Sequence, residues 1–264
     1  MPKFHVIAGP GSPAVYPSVR KIGPADLKDA LAKGYDDFLT MPSSLIFLGL
    51  IYPIAGIGLI ADSPSPLLFP LMSGFALVGP FVATGLYEIS RRRELGLEIS
   101  WKDAFGVIRS RSILSILSLG LLLLVIFSGW EFTAQSLYAA LFGSAPPESF
   151  TQFVTNVFGT PQGWKLIILG SATGFFFAVV ALSVSVVSFP LLLDRDVDVA
   201  VAIYTSISAV VKSPFTFALW GLIVAAMLAI GFLLLFVGLA VAVPILGHST
   251  WHLYRRVVDR ATAV

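Results

Sequence analysis

The length of its apolar runs decides what this chain can become. Ser43–Ala61 holds no Asp, Glu, Lys or Arg and supplies roughly the twenty apolar residues that a helix needs to cross hydrocarbon. Leu67–Ser90, Ser112 to about Leu141 and Trp164–Leu193 are runs on the same scale. Phe215 to about Tyr254 is too long for one crossing and fits two short helices with a tight turn near Gly231. With 56% apolar and 12% charged residues, a water-soluble fold would leave large greasy patches on its surface. The expected fold class is therefore all-α: a polytopic membrane protein with six transmembrane helices arranged as three hairpins, plus amphipathic interfacial helices.

The segments between the runs carry a second pattern. Residues 1–23 are rich in Pro and Gly and lack the apolar core of a signal peptide, so a flexible cytoplasmic tail is expected there and the first crossing directs insertion. Pro24 suits a first helical turn, and Leu27, Leu31, Tyr35 and Phe38 follow at helical spacing opposite Asp26, Lys28, Asp29, Lys33, Asp36 and Asp37. This is the pattern of a helix lying on a membrane surface. Ser100-Trp101-Lys102-Asp103 has the form of a capping box opening a second such helix. Phe150, Phe153, Val154, Val157 and Phe158, closed by Gly159 and Pro161, predict a third, on the opposite surface. Val199, Ala200, Ile203, Ile207 and Val210 predict a fourth. Hairpin repeats then fall at about 24–93, 99–195 and 196–256, within a membrane domain 24–256 followed by a short tail, 257–264.

Two helix ends anchor this scheme. Gly79-Pro-Phe-Val-Ala-Thr-Gly-Leu-Tyr-Glu-Ile-Ser-Arg-Arg-Arg93 is an apolar helix end that stops in three arginines, and Val243–Arg256 is a weaker copy ending at Arg255-Arg256. Pro80, Pro190 and Pro244 on the returning helices predict kinks, and Gly79 and Gly85 allow close helix packing. Arg91, Arg92, Arg93, Arg255 and Arg256 are expected as topology anchors or contacts to anionic lipid headgroups. Under the six-crossing scheme 16 of the 17 Lys and Arg fall on one side, all but Lys165, which places both termini in the cytoplasm.

Candidate chemistry is sparse. The chain has no cysteine, which removes disulfides, thiolate metal sites and cysteine nucleophiles. Its net charge of +2, spread over a few short basic stretches, gives no footprint for nucleic acid. His248 and His252 stand four residues apart on one helical face, and Glu88 matches His252 in the repeat, so these three are weak candidates for a metal site if the second and sixth helices pack together. Interfacial histidines beside Trp251 and Tyr254, set among headgroups and water, are the blander expectation. Asp194-Arg195-Asp196-Val197-Asp198 reads as helix capping. No nucleophile with an adjacent base and no glycine-rich phosphate loop occurs, and ionisable residues are missing from the expected midplane, which disfavours an enzyme or an ion-coupled transporter. No catalytic residue and no cofactor is assigned.

Gly79–Arg93, the run Ser188-Phe-Pro-Leu-Leu-Leu-Asp-Arg-Asp196 and the tail Pro244-Ile-Leu-Gly-His-Ser-Thr-Trp-His-Leu-Tyr-Arg-Arg256 together carry a resemblance. After about Val19 the chain resembles an uncharacterised family of bacterial integral membrane proteins, often labelled as similar to cytochrome c oxidase subunit I. The resemblance implies the bacterial inner membrane and supplies no site residues. Three histidines in all, with His5 in the tail, are too few for the haem and copper centres of such an oxidase subunit. The expected function is that of an accessory, assembly or scaffold partner of another membrane complex, for instance a respiratory one. The alternative is a carrier or channel for a lipid or small apolar solute, with the three prolines lining a cleft.

Overall fold

The computed structural model describes residues 16–41, 83–143, 150–234 and 237–259. The expected first crossing, the start of the second with Gly79 and Pro80, and the first and last tail residues lie outside the described residues.

The first helix, α1 (Pro24–Thr40), starts where expected. Pro24 occupies its first turn, and the Asp26 carboxylate accepts a hydrogen bond from the Gly23 N–H at 2.9 Å. A helix, α2, is described over 83–94. It closes at Gly96, whose φ of +67 lets Leu97 N–H reach back to the Arg92 carbonyl at 3.0 Å. One turn, α3 (Trp101–Ala104), follows, with Asp103 accepting from the Ser100 N–H at 2.8 Å, and it tightens into a 3-10 stretch over Phe105–Arg109.

The long helices come next: α4 (Ile113–Phe142), α5 (Phe150–Gly159), α6 (Pro161–Ser185) and α7 (Ser188–Asp194). Asp198 caps α8 (Val199–Lys212) by accepting from the Ala200 N–H at 2.8 Å. Ser213 breaks the chain's direction and Pro214 opens α9 (Pro214–Leu233), followed after a short turn by α10 (Leu239–Val257). The turn lies close to the position expected, and its helices approach so tightly that a Cβ on Gly231 would meet the Leu239 backbone at 2.9 Å.

Three described segments are long and apolar enough to cross a membrane: Ile113–Phe142, Pro161–Asp194 and Pro214–Gly231. Leu239–Val257, the expected sixth crossing, is not among them. Its C-terminal half is polar, with Gly247, His248, Ser249, Trp251, Leu253 and Tyr254 buried and His252, Arg255 and Arg256 partly exposed.

The chain divides into two compact units. In Leu121–Ser183 several aromatic side chains meet one another. Phe177 lies 3.4 Å from where a Cβ on Gly129 would stand, and Tyr138 meets Phe142 and Phe153. Among the described side chains of α5, Val157 is buried, whereas Phe158 is exposed.

The other unit joins the described residues up to Gly120 to those from Val184 onward. Here α1 packs along α10 by burying Leu27, Ala30, Gly34, Asp37 and Phe38. That stripe differs from the expected one: Tyr35 faces out and Asp37 faces in. Gly34 explains the shift, and Gly247 plays the matching part toward α2. A Cβ on Gly34 would sit 2.1 Å from Ser249 Oγ, and one on Gly247 would sit 2.5 Å from Leu86 of α2. Missing side chains let three backbones close on one another, and the small stripe of α1 becomes its packing face. Residues just before α1, within the stretch expected as a tail, are stitched to the C-terminal end. Arg20 N–H bonds the Val257 carbonyl at 2.8 Å, and Ile22 bonds Ser213 Oγ and Thr216 Oγ1, both at 3.0 Å.

Candidate functional site

Where α1, α2 and α10 converge, helical spacing places polar groups on the inner faces. Ser90 and Arg93 are one turn apart on α2, His248 and His252 one turn apart on α10, and Asp37 continues the buried stripe of α1. Asp37 is only 3% exposed, while Ser90 and His248 are fully buried. A carboxylate in such a place must be surrounded by donors. Its Oδ2 accepts from Ser90 Oγ at 2.5 Å and from His252 Nε2 at 2.8 Å, and its Oδ1 accepts from the Arg93 guanidinium.

This geometry fixes the protons. An ionised carboxylate only accepts, so the Ser90 hydroxyl proton points to Asp37 and Ser90 Oγ must accept from His248 Nδ1, 2.8 Å away. His248 then carries its proton on Nδ1. Its Nε2 is buried and makes no hydrogen bond, as is the neighbouring Ser249 Oγ. Burial alone would raise the Asp37 pKa, but the bonds from His252, Ser90 and Arg93 outweigh it and hold the carboxyl below the usual carboxylate value. The bonds to Asp37 and Asp36 raise Arg93 in turn, so the pair stays ionised.

Around this centre lies a cavity of about 610 Å³ lined by Arg20, Lys33, Arg93, Arg255 and Arg256 together with Asp36, Asp37, Glu94, Asp259 and His252. Its charges are engaged with one another. Arg256 Nη2 meets Asp29 at 2.6 Å, Arg93 Nη2 meets Asp36 at 2.7 Å, and Arg255 bridges Glu94 and Asp194, both at 3.2 Å. Trp251 Nε1–H donates to Glu94 at 3.2 Å and Tyr254 O–H to Asp194 at 2.6 Å, so the aromatic end of α10 is tied into the same rim.

The structure thus brings His248 and His252 together on one face, and it packs α2 against α10 as the metal reading required. Glu88, however, bonds Arg91 at 2.7 Å, away from the histidines. Among the described residues no group of three or more His, Cys, Asp or Glu is placed to hold a metal ion. The arginines expected as anchors each have a carboxylate neighbour within the protein: Arg91 has Glu88, Arg92 has Asp103, and Arg93, Arg255 and Arg256 have the partners given above. Gly85 approaches the Ala104 carbonyl at 3.2 Å, measured from a built Cβ, and Pro190 and Pro244 are buried. Sequence reasoning missed Asp37 and Ser90. Asp37 was hidden among the other charges of α1, although it keeps the 3-4 spacing of Leu27, Ala30 and Gly34.

Residues 68–194 match a family model described as "Predicted integral membrane protein (DUF2189)". The uncharacterised membrane family suggested by the sequence fits this match. The matched residues include Ser90 and Arg93 of the polar centre and leave Asp37, His248 and His252 outside. No curated protein and no solved structure matches the chain.

Proposed function

We propose that this is a six-crossing protein of the bacterial inner membrane with both termini cytoplasmic. Its hairpins span about 24–93, 99–195 and 196–256, and it acts without a catalytic centre, as an accessory, assembly or scaffold partner of another membrane complex. The observation that carries this reading is that the Asp37 carboxylate and the donors on it, from Ser90, Arg93 and His252, are spent on one another. Ser90 is fully buried and donates its hydroxyl proton to a hydrogen bond with Asp37, and the guanidinium of Arg93 is held by two carboxylates. Such a cluster fixes three helices in one arrangement.

The long apolar helices support the same reading. Glu131 in α4 and Lys165 in the first turns of α6 are the charged residues of α4, α6 and α9, which leaves no ladder of ionisable groups along them for a proton or ion. A carrier would need its prolines along a cleft. Pro190 and Pro244 are packed inside the protein and line no part of the charged cavity, so the partner reading is preferred.

Extraction in native lipid with a membrane-solubilising polymer, followed by mass spectrometry, tests the proposal. A second integral membrane protein recovered in fixed stoichiometry is the expected result. A monomer accompanied by lipid alone contradicts it.

A further inference from the structure

Helix α8 is dressed the wrong way round for water. From Val199 to Val211 it contains no charged residue. Two of its hydroxyls are turned inward: Thr205 and Ser206 are buried beside Val201, Ala202 and Ala209, with Thr205 Oγ1 donating to the Val201 carbonyl at 2.7 Å and Ser206 Oγ accepting from the Val187 N–H at 3.2 Å. Its outward face is apolar, with Ala200, Tyr204, Ile207 and Val211 exposed, the last to 72%, and the Tyr16 ring touches the edge of this face at Tyr204, with centroids 4.7 Å apart. A helix in contact with water shows the reverse arrangement.

What covers this face follows from what adjoins it. The exposed line continues across Ser213-Pro214 into Phe215, 90% exposed, and on to Leu219 and Leu222 of α9, one of the helices long and apolar enough to cross a membrane. The surface of α8 is therefore continuous with a surface made for hydrocarbon. At 1.5 Å per residue its fourteen residues reach only about 21 Å, short of the roughly 30 Å of a bilayer core. Charged groups stand at both ends, Asp196 and Asp198 before it and Lys212 at its last position. Too short to cross and charged at each end, it has one favourable placement, along the interface.

We propose that the outward face of α8 lies in the headgroup region of the bilayer, with Tyr204, Ile207 and Val211 directed at lipid and the Ser213-Pro214 corner turning the chain into the membrane. The occupant is lipid, and neither a second copy of the chain nor another protein is needed to cover the face. Tyr204 fits this depth because its ring is apolar and its hydroxyl wet.

Because the chain has no cysteine, single-cysteine labelling is unambiguous. Tyr204→Cys, Ile207→Cys and Val211→Cys, with Lys33→Cys from the charged cavity as the aqueous reference, would each carry a nitroxide. The proteins are reconstituted in vesicles of phosphatidylethanolamine and phosphatidylglycerol. Collisional relaxation by oxygen and by a water-soluble nickel chelate is then compared. The expected result is an oxygen-to-nickel ratio several-fold higher at the α8 sites than at position 33. A ratio equal to that at position 33 would put the face in water and overturn the proposal. Labels at these sites that are immobilised and shielded from both reagents would show a protein covering the face, which also overturns it. Ile207 and Val211 are exposed, so their substitution leaves the packing of α8 intact, whereas Tyr204→Cys also removes the ring contact with Tyr16; elution profile and helical circular dichroism identify any variant to be set aside in favour of the others.

Discussion

Replacing Asp37 with alanine tests whether the polar centre holds the three helices together. The carboxylate is 3% exposed and accepts from Ser90, His252 and Arg93. Its removal leaves the Ser90 hydroxyl without an acceptor in a fully buried site, a loss of about 1–3 kcal/mol. Arg93 keeps Asp36 and a share of solvent, so its charge is only partly stranded. Breaking a buried pair from one side costs roughly 3–5 kcal/mol, and the sum for Asp37→Ala falls near the lower end of that range because of this relief. Asp36→Ala is the matched control. It also removes a carboxylate from Arg93, but its side chain is 67% exposed, where such pairs contribute about 0–1 kcal/mol. The assay is the unfolding midpoint in one detergent, followed by circular dichroism. Asp37→Ala is expected to lower it far more than Asp36→Ala, with Asp37→Asn between them. Equal effects of the two alanine variants would refute the view that burial and satisfied bonding at Asp37 matter.

Three further outcomes follow from the same geometry. Gly34→Ala puts a methyl group 2.1 Å from Ser249 Oγ and 2.5 Å from its backbone nitrogen, so α1 must shift, at a cost of about 1–3 kcal/mol; the same midpoint measurement checks it, and an unchanged value contradicts the close crossing. Asp37 has a depressed folded pKa, so its contribution is complete above the unfolded value of 3.8 and is lost as pH falls from there through the folded value; the midpoint of the parent is expected to fall more steeply in that acid range than that of Asp37→Asn. Glu88→Gln removes the charge facing Arg91 at 2.7 Å, where both side chains are at most 15% exposed, and is expected to destabilise more than Glu98→Gln, a change in the exposed turn region; the two midpoints decide it.

Much of the helical layout can be read from the residues themselves. Pro24 at a first turn, Asp198 as a cap, Ser100 with Asp103, and the ends near Phe142, Gly159 and Leu233 all follow from local chemistry. Asp37 does not, because the property that matters is which face of α1 meets α10. Gly34 decides that face, and its partner, Ser249, is far away in sequence. His248 and His252 stand out as an i, i+4 pair, but their partners come from α1 and α2, across sequence separations of 215 for His252–Asp37 and 158 for Ser90–His248. The surface-helix pattern of α8 was visible as Val199, Ala200, Ile203, Ile207 and Val210. The protein-facing side proves to be Val201, Ala202, Thr205, Ser206 and Ala209, because a helix between protein and lipid is apolar on two faces and periodicity alone does not say which is which.

The account depends most on the long apolar helices carrying the chain from one side of the membrane to the other. Single cysteines introduced at Lys33 and at Ser144, in a chain that has none of its own, can be challenged in intact cells with a reagent that does not cross the inner membrane. Labelling at position 144 with none at position 33 until the membrane is opened is the result expected. Equal labelling of the two positions in intact cells would contradict it.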